Sequence, residues 1–269
     1  ILTPFIVMKI SVRDNMLPGS VLDEKIFLLE KIGYDAIELV GRDELQEKVS
    51  KAKDILPSYK LKVSTLSGYR GDLISPIPSE RELALSDIKE RLKWASELGA
   101  VGLIVVPTFG PPKLPDLTPY ATSYQLEKSL LISELRHLSK YALEYGTYVI
   151  MEPLNRYETH FLRRLKDAYE LAEESGEGIA FMADFFHMNL EEVDMAAAIK
   201  ETFPRLKHVH LADSNRLEPG AGHTNFAPAF SALREMGYAG YGALECGFSK
   251  DPESSLTASL HYIKSLLQT

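Results

Sequence analysis

Residues 138–160 read LSKYALEYGTYVIMEPLNRYETH. Leu138 to Tyr145 is a helical pattern, and Gly146 stands just past it, where a glycine relieves a left-handed cap. Tyr148-Val149-Ile150-Met151 is an aromatic and β-branched run that reads as a buried strand. Side chains alternate along a strand, so Tyr148, Ile150 and Glu152 share one face. Glu152 is therefore a carboxylate at the end of an apolar strand, where a lone buried charge is costly. Pro153 removes a backbone donor and ends the strand. A carboxylate in that place needs a cation.

The same unit recurs along the chain. Leu22, Ile26 and Leu29 mark one helical face, Gly33 follows, and Ala36-Ile37-Glu38-Leu39-Val40 is the next strand. Trp94 to Leu98, Gly99 and Val101 to Val106 repeat it, and further copies turn at Gly176 and Gly237. Two units use a proline turn instead: Lys62 to Leu66 after Pro57, and Leu206 to Leu211 after Pro204. With Met8 to Val12 the chain offers strands centred near residues 10, 38, 64, 104, 150, 182, 209 and 243. Parallel strands alternating with helices close most economically into a (β/α)8 TIM barrel, which commonly takes about 250 residues. Residues 1–269 are expected to form a single domain of this kind. A doubly wound sheet is the structural alternative, but it carries a Gly-rich turn after its first strand. Here that place reads Arg13-Asp14-Asn15-Met16-Leu17-Pro18-Gly19.

Composition narrows the function classes. The formal charge is −8, with 30 basic and 38 acidic residues, which disfavours a partner held by its phosphate backbone. No run of about 18 apolar residues occurs, so no membrane span is expected. The opening ILTPFIVMKIS is short and lacks a basic flank, so it does not read as a signal peptide. Cys246 is the only cysteine, which excludes intrachain disulfides and favours a cytoplasmic setting.

Three more polar groups end strands as Glu152 does. Asp184 follows Ile179-Ala180-Phe181-Met182-Ala183, His210 ends Leu206 to His210, and Glu245 follows Tyr241 to Leu244. Each alone reads more often as a helix cap, a surface charge or a core histidine. On four consecutive strands of a barrel they converge at one rim, the catalytic face of such folds. Three carboxylates and one imidazole suit a hard or borderline divalent ion, Mn²⁺ or Mg²⁺ before Zn²⁺.

A second group lies nearby. Glu158 stands where the next helix is expected to start, as a substrate contact or a partner of the helix dipole. His187 is expected in the loop after Asp184, as a substrate contact, a weak ligand or a surface histidine. Arg216, in Asp213-Ser214-Asn215-Arg216, offers paired donors to a substrate oxygen or a loop salt bridge. Pro219 to His223 forms a tight turn with backbone amides near the rim. His208 lies one layer deeper than His210, in a supporting or core role. Residues 67–72 and 108–122 are loops that either cover the pocket or form rigid surface excursions.

Glu-Pro-Leu-Asn-Arg-Tyr-Glu at 152–158, Asp184 with His187, His210 with Asp-Ser-Asn-Arg at 213–216, Pro-Gly-Ala-Gly-His at 219–223 and Leu-Glu-Cys at 244–246 carry a resemblance. Together they resemble the xylose isomerase-like TIM-barrel superfamily, and within it the ketose 3-epimerases of the tagatose and psicose type. The resemblance implies one divalent metal, Mn²⁺ preferred with Mg²⁺, Co²⁺ or Zn²⁺ as substitutes, held by Glu152, Asp184, His210 and Glu245. It implies Glu152 and Glu245 as the acid/base pair, and Glu158, His187 and Arg216 as contacts to oxygens of a small sugar. It also implies a homo-dimer or tetramer. Arg163-Arg164 departs from the small polar pair common in epimerases, and leaves room for an acidic or phosphorylated sugar.

The chemistry so implied is proton transfer beside a ketone through a cis-enediolate. Two carboxylates on opposite faces invert a carbon; return of the proton to the adjacent carbon isomerises instead. Aldose–ketose, hydroxypyruvate and inosose isomerases are therefore alternatives. Endonuclease IV is a more distant one. It needs histidines after the early strands, where this chain has Thr65-Leu66-Ser67-Gly68 and Val106-Pro107-Thr108.

Overall fold

Each apolar run becomes a strand, and the strands pair in chain order. A computed structural model describes residues 8–268. The reading of the opening residues as lacking a leader concerns residues 1–7, which lie outside the described residues. The strands are β1 (Lys9–Arg13), β2 (Ala36–Val40), β3 (Lys62–Ser67), β4 (Gly102–Val105), β5 (Tyr148–Met151), β6 (Ile179–Asp184), β7 (Leu206–Leu211) and β8 (Tyr241–Leu244). All neighbouring pairs are parallel, and β8 pairs with β1 to close the barrel. Closure leaves no open edge for a stray strand to join.

The helices form the outer layer: α1 (Leu22–Ile32), α2 (Leu45–Ile55), α3 (Pro78–Glu97), α4 (Ser123–Glu144), α5 (Leu165–Ser175), α6 (Phe185–Glu191), α7 (Met195–Thr202), α8 (Ala227–Glu235) and α9 (Pro252–Gln268). Leu22, Ile26 and Leu29 of α1 are buried, as the periodicity predicts. Gly33 ends α1 in the left-handed region, φ 100° and ψ 32°. Gly176 departs from that expectation: at φ 118° and ψ 170° it is extended in a region open essentially to glycine alone. The proline turns at Pro57 and Pro204 form single 3-10 turns. α4 starts on a capping box, in which Thr122 Oγ1 accepts from the Gln125 amide and Gln125 Oε1 accepts from the Thr122 amide.

Inside the barrel, Ile104, Ile150 and Met182 pack together from β4, β5 and β6. Fully burying side chains of this size contributes about 1.5–3 kcal/mol each. The opposite side of the interior is polar. Ser11 and Ser64 hydrogen bond across it at 2.8 Å. Two irregularities shape that side. Between β2 and β3 the register shifts so that Ser64 and Thr65 lie opposite Glu38. Between β6 and β7 it shifts between Phe181–Leu206 and Met182–His208. Such bulges re-aim side chains beside active sites.

Candidate metal centre and its cavity

Glu152 lies one residue past β5, Asp184 ends β6, His210 lies near the end of β7 and Glu245 one residue past β8. One ligand atom from each lies within 4.8 Å of the others. His210 Nδ1 is 2.8 Å from Glu245 Oε2, 3.4 Å from Glu152 Oε1 and 3.5 Å from Asp184 Oδ2. Asp184 is also the N-cap of α6: its Oδ1 accepts from the His187 amide at 3.0 Å, while Oδ2 faces His210. Both readings of that residue hold at once, one oxygen each.

Beneath the cluster sits Glu38, fully buried. Its Oε2 accepts from Thr65 Oγ1 at 2.6 Å and faces His208 Nε2 at 3.0 Å and His210 Nε2 at 3.1 Å. Arg13 Nε lies 3.1 Å from Oε1. Burial alone would raise this carboxyl, yet His210, His208 and Arg13 hold it well below the usual carboxylate range. Burial would lower His210, but Glu38, Asp184 and Glu152 raise it well above its ordinary value. Burial keeps His208 low, only partly offset by Glu38. Asp184 is likewise lowered by His187 and His210 against the effect of burial.

The residues fit a divalent ion. His210 directs Nε2 to Glu38, which leaves Nδ1 toward the cluster. His210 Nδ1 and Glu245 Oε2 are buried, close together, and neither makes an aligned hydrogen bond among the described residues. Such groups are ordinarily satisfied. An oxygen-rich donor set with one imidazole matches Mn²⁺ or Mg²⁺ chemistry, and the Glu38 contact is the kind of outer support that fixes a ligating ring.

Sequence reasoning missed Glu38 and Arg13. Arg13 Nη1 closes onto Glu245 Oε1 while its Nε faces Glu38. Both signals were present: Glu38 interrupts an apolar strand, and Arg13 ends β1 as Glu245 follows β8.

The second group falls partly outside expectation. Glu158 does not start a helix, because α5 begins only at Leu165. It lies in a turn, where its Oε1 accepts from Asn155 Nδ2 at 3.0 Å and Arg216 Nη1 at 2.8 Å. His187 is not in a loop: the Asp184 cap starts α6 directly after β6, and His187 is 1% exposed within it. Its Nδ1 accepts from the Asn155 amide at 3.2 Å, which leaves Nε2 as the protonated nitrogen, buried and without a hydrogen-bond partner among the described residues. Arg216 has φ 58°, and its guanidinium lies 4.7 Å from the Phe186 ring centre. The amides around Pro219 to His223 serve Asp213 rather than the rim: its carboxylate accepts from Gly220 at 3.0 Å and Thr224 at 2.9 Å. Arg163 and Arg164 are exposed and form no part of the cavity wall, so the room for an anionic sugar read from them has no structural support. Burial, then Glu218, pushes the Cys246 thiol up.

The cavity over the cluster measures about 430 Å³ and is reached by Glu152, Glu158, His187, Arg216 and Glu245. Loops 67–72 and 108–122 supply wall residues, among them Tyr69 and Phe109, and an Asp72–Lys113 ion pair joins the two loops. No helix of the described residues is long and apolar enough to cross a membrane.

A family model for the xylose isomerase-like TIM barrel matches residues 26–266. The chain belongs to this family. It is 31% identical over 263 residues to a 3-dehydro-D-guloside 4-epimerase of Escherichia coli K12, covering 96% of this chain and 99% of that protein. It is 28% identical over 234 residues to an L-ribulose 3-epimerase of Methylomonas, covering 84% and 79% respectively. The crystal structure of an E. coli 3-keto-D-glucoside 4-epimerase superposes with a TM-score of 0.87 at 30% identity, over 96% of this chain and 99% of that one. These relatives are epimerases, isomerase-class enzymes that act on sugars, and this family member stands among them.

Proposed function

We propose that this chain is a metal-dependent sugar epimerase that moves a proton beside a ketone through a cis-enediolate. The observation that carries the reading is the pair Glu152 and Glu245, from the ends of β5 and β8, meeting across Asp184 and His210. One carboxylate removes the proton from carbon; the other returns one from the opposite side, and the carbon inverts. A divalent ion held by Glu152, Asp184, His210 and Glu245, Mn²⁺ by preference, supplies Lewis acidity for the negative charge that develops on oxygen. His187 Nε2–H donates to a substrate oxygen, and the Glu158–Arg216 pair holds neighbouring hydroxyls with charge-assisted hydrogen bonds.

Isomerisation is the runner-up, and differs only in the carbon that receives the proton. The nuclease reading has no support in the site. Neither β3 nor β4 ends in a histidine, and the net charge is −8. The names of the relatives span a glycoside and a free ketose, so the substrate class of this reading is a keto-sugar. A cytoplasmic dimer or tetramer is part of the same reading.

The test is deuterium uptake from D₂O into a panel of keto-sugars by the Mn²⁺-loaded protein. Glu245→Gln is expected to keep the metal and lose turnover by about 10²–10⁴-fold. Retention of both metal and full turnover would falsify the assignment.

A further inference from the structure

We infer that the cavity wall built by the loops after β2, β3 and β4 is a second binding subsite, for a ring joined to the reacting sugar through a glycosidic oxygen. The inference rests on the epimerase reading and narrows its substrate class to keto-glycosides.

The cavity has two unlike halves. Arg13, Glu38 and Thr65 apart, every group given a chemical task comes from β5 to β8 and the segments that follow them. The loops after β2 to β4 contribute Arg42, Tyr69, Phe109 and the Asp72–Lys113 pair, none of which reaches the four-residue cluster. A volume of about 430 Å³ lies in the range of cavities that bury drug-sized ligands, about 300–1,000 Å³. A lone ketose is smaller than that class.

The chemistry of this wall suits a ring. Phe109 is 53% exposed although it lines a cavity, so about half of its apolar surface stays open. Tyr69 donates its hydroxyl to the Val106 carbonyl at 2.9 Å and packs on the core, with one edge lining the cavity. The Arg42 guanidinium makes no hydrogen bond or ion pair among the described residues, and so keeps its fork of donors for ring and hydroxyl oxygens. A pyranose offers an apolar face to Phe109 and oxygens to Arg42; an aryl ring offers Phe109 the same kind of face and Arg42 a cation–π contact.

The wall is also built to stay in place. Arg91, 1% exposed, donates to the carbonyls of Gly41 and Gly68 at 2.8 Å and of Arg42 at 2.5 Å, and pairs with buried Asp87. Buried Glu127 accepts from the Lys113 amide at 2.6 Å and the Leu114 amide at 3.2 Å, and lies 2.5 Å from His160 Nε2. Burying such charges is costly. Neither anchor touches the metal cluster; each fixes a loop that lines the outer wall. A wall fixed in advance spares a ligand the entropy of ordering it.

Calorimetry of the Mn²⁺-loaded protein with methyl and phenyl D-glucosides, which carry no ketone, tests the subsite without any reaction. The phenyl glycoside is expected to bind about tenfold more tightly, as burial of one ring provides. Phe109→Ala and Arg42→Ala, both on the exposed rim, should bring it toward the methyl value. Equal affinities in the parent protein, or a difference that survives both substitutions, overturn the subsite. Absence of exchange into any ketone overturns the epimerase reading instead, and the binding comparison still decides the subsite.

Discussion

Glu38 Oε2 lies 3.1 Å from His210 Nε2, while Glu245 Oε2 lies 2.8 Å from Nδ1 of the same ring. One imidazole is held between a supporting carboxylate and a candidate ligand. Glu38 reaches it from β2, so the candidate centre depends on a strand that contributes none of its four ligands.

Replacing Glu38 with Gln should therefore weaken metal binding by about 10–100-fold. A glutamine offers one acceptor oxygen where Glu38 meets Thr65, His208, His210 and Arg13, and its amide group would face donors. Metal titration followed by calorimetry reads the change; an unaltered affinity removes Glu38 from the account.

Metal binding should release protons. The raised His210 value keeps the imidazole charged above its usual value near 6.5, and a ligand must be neutral. Apparent metal affinity should climb as pH rises through the raised value. The stability linkage has the opposite sign for the metal-free protein. A raised histidine stabilises fully below its unfolded value, and that contribution is lost as pH rises through the folded one. Melting temperatures should fall for metal-free protein as pH rises above about 6.5, the unfolded value, and hold for loaded protein. Calorimetry in buffers of different ionisation enthalpy counts the protons, and a count of zero contradicts this assignment.

Arg216 holds a left-handed backbone that costs a non-glycine residue about 1–2 kcal/mol. Arg216→Gly should be more stable than Arg216→Ala by roughly that amount in denaturant unfolding. Both should raise KM, since both lose the guanidinium that pairs with Glu158. A pair of variants equal in stability would show the backbone to be unstrained.

Arg91→Met should destabilise by about 3–5 kcal/mol, because it leaves Asp87 buried without its closest cation. Arg70 still pairs with Asp87, but from a half-exposed position. Urea unfolding measures the loss, and a loss under about 1 kcal/mol would mark the pair as a surface-like contact.

The barrel was legible because each strand is a short apolar run set off by a glycine or proline turn. Glu152, Asp184, His210 and Glu245 were legible because chemistry at the ends of such strands breaks the apolar pattern on one rim. Glu38 was not, since a carboxylate inside a strand gives no sign of which way it points, and its donors come from β1, β3 and β7. His187 was misplaced because the helix-cap reading of Asp184 was not followed into the next residues; its second oxygen caps a helix and draws the loop into it. Arg163-Arg164 shows the converse error. Charge close to a motif in sequence says nothing of direction, and the guanidinium at the cavity without a partner among the described residues is Arg42, far away in the chain.

The register shift between β2 and β3 places two consecutive β3 residues, Ser64 and Thr65, against Glu38. Deleting either residue would restore an unbroken pleat and reverse the facing of the rest of the strand. A one-residue change of length, distant in sequence from every candidate ligand, would thus silence the centre, whereas extending the tip of loop 108–122 would leave its foundations intact.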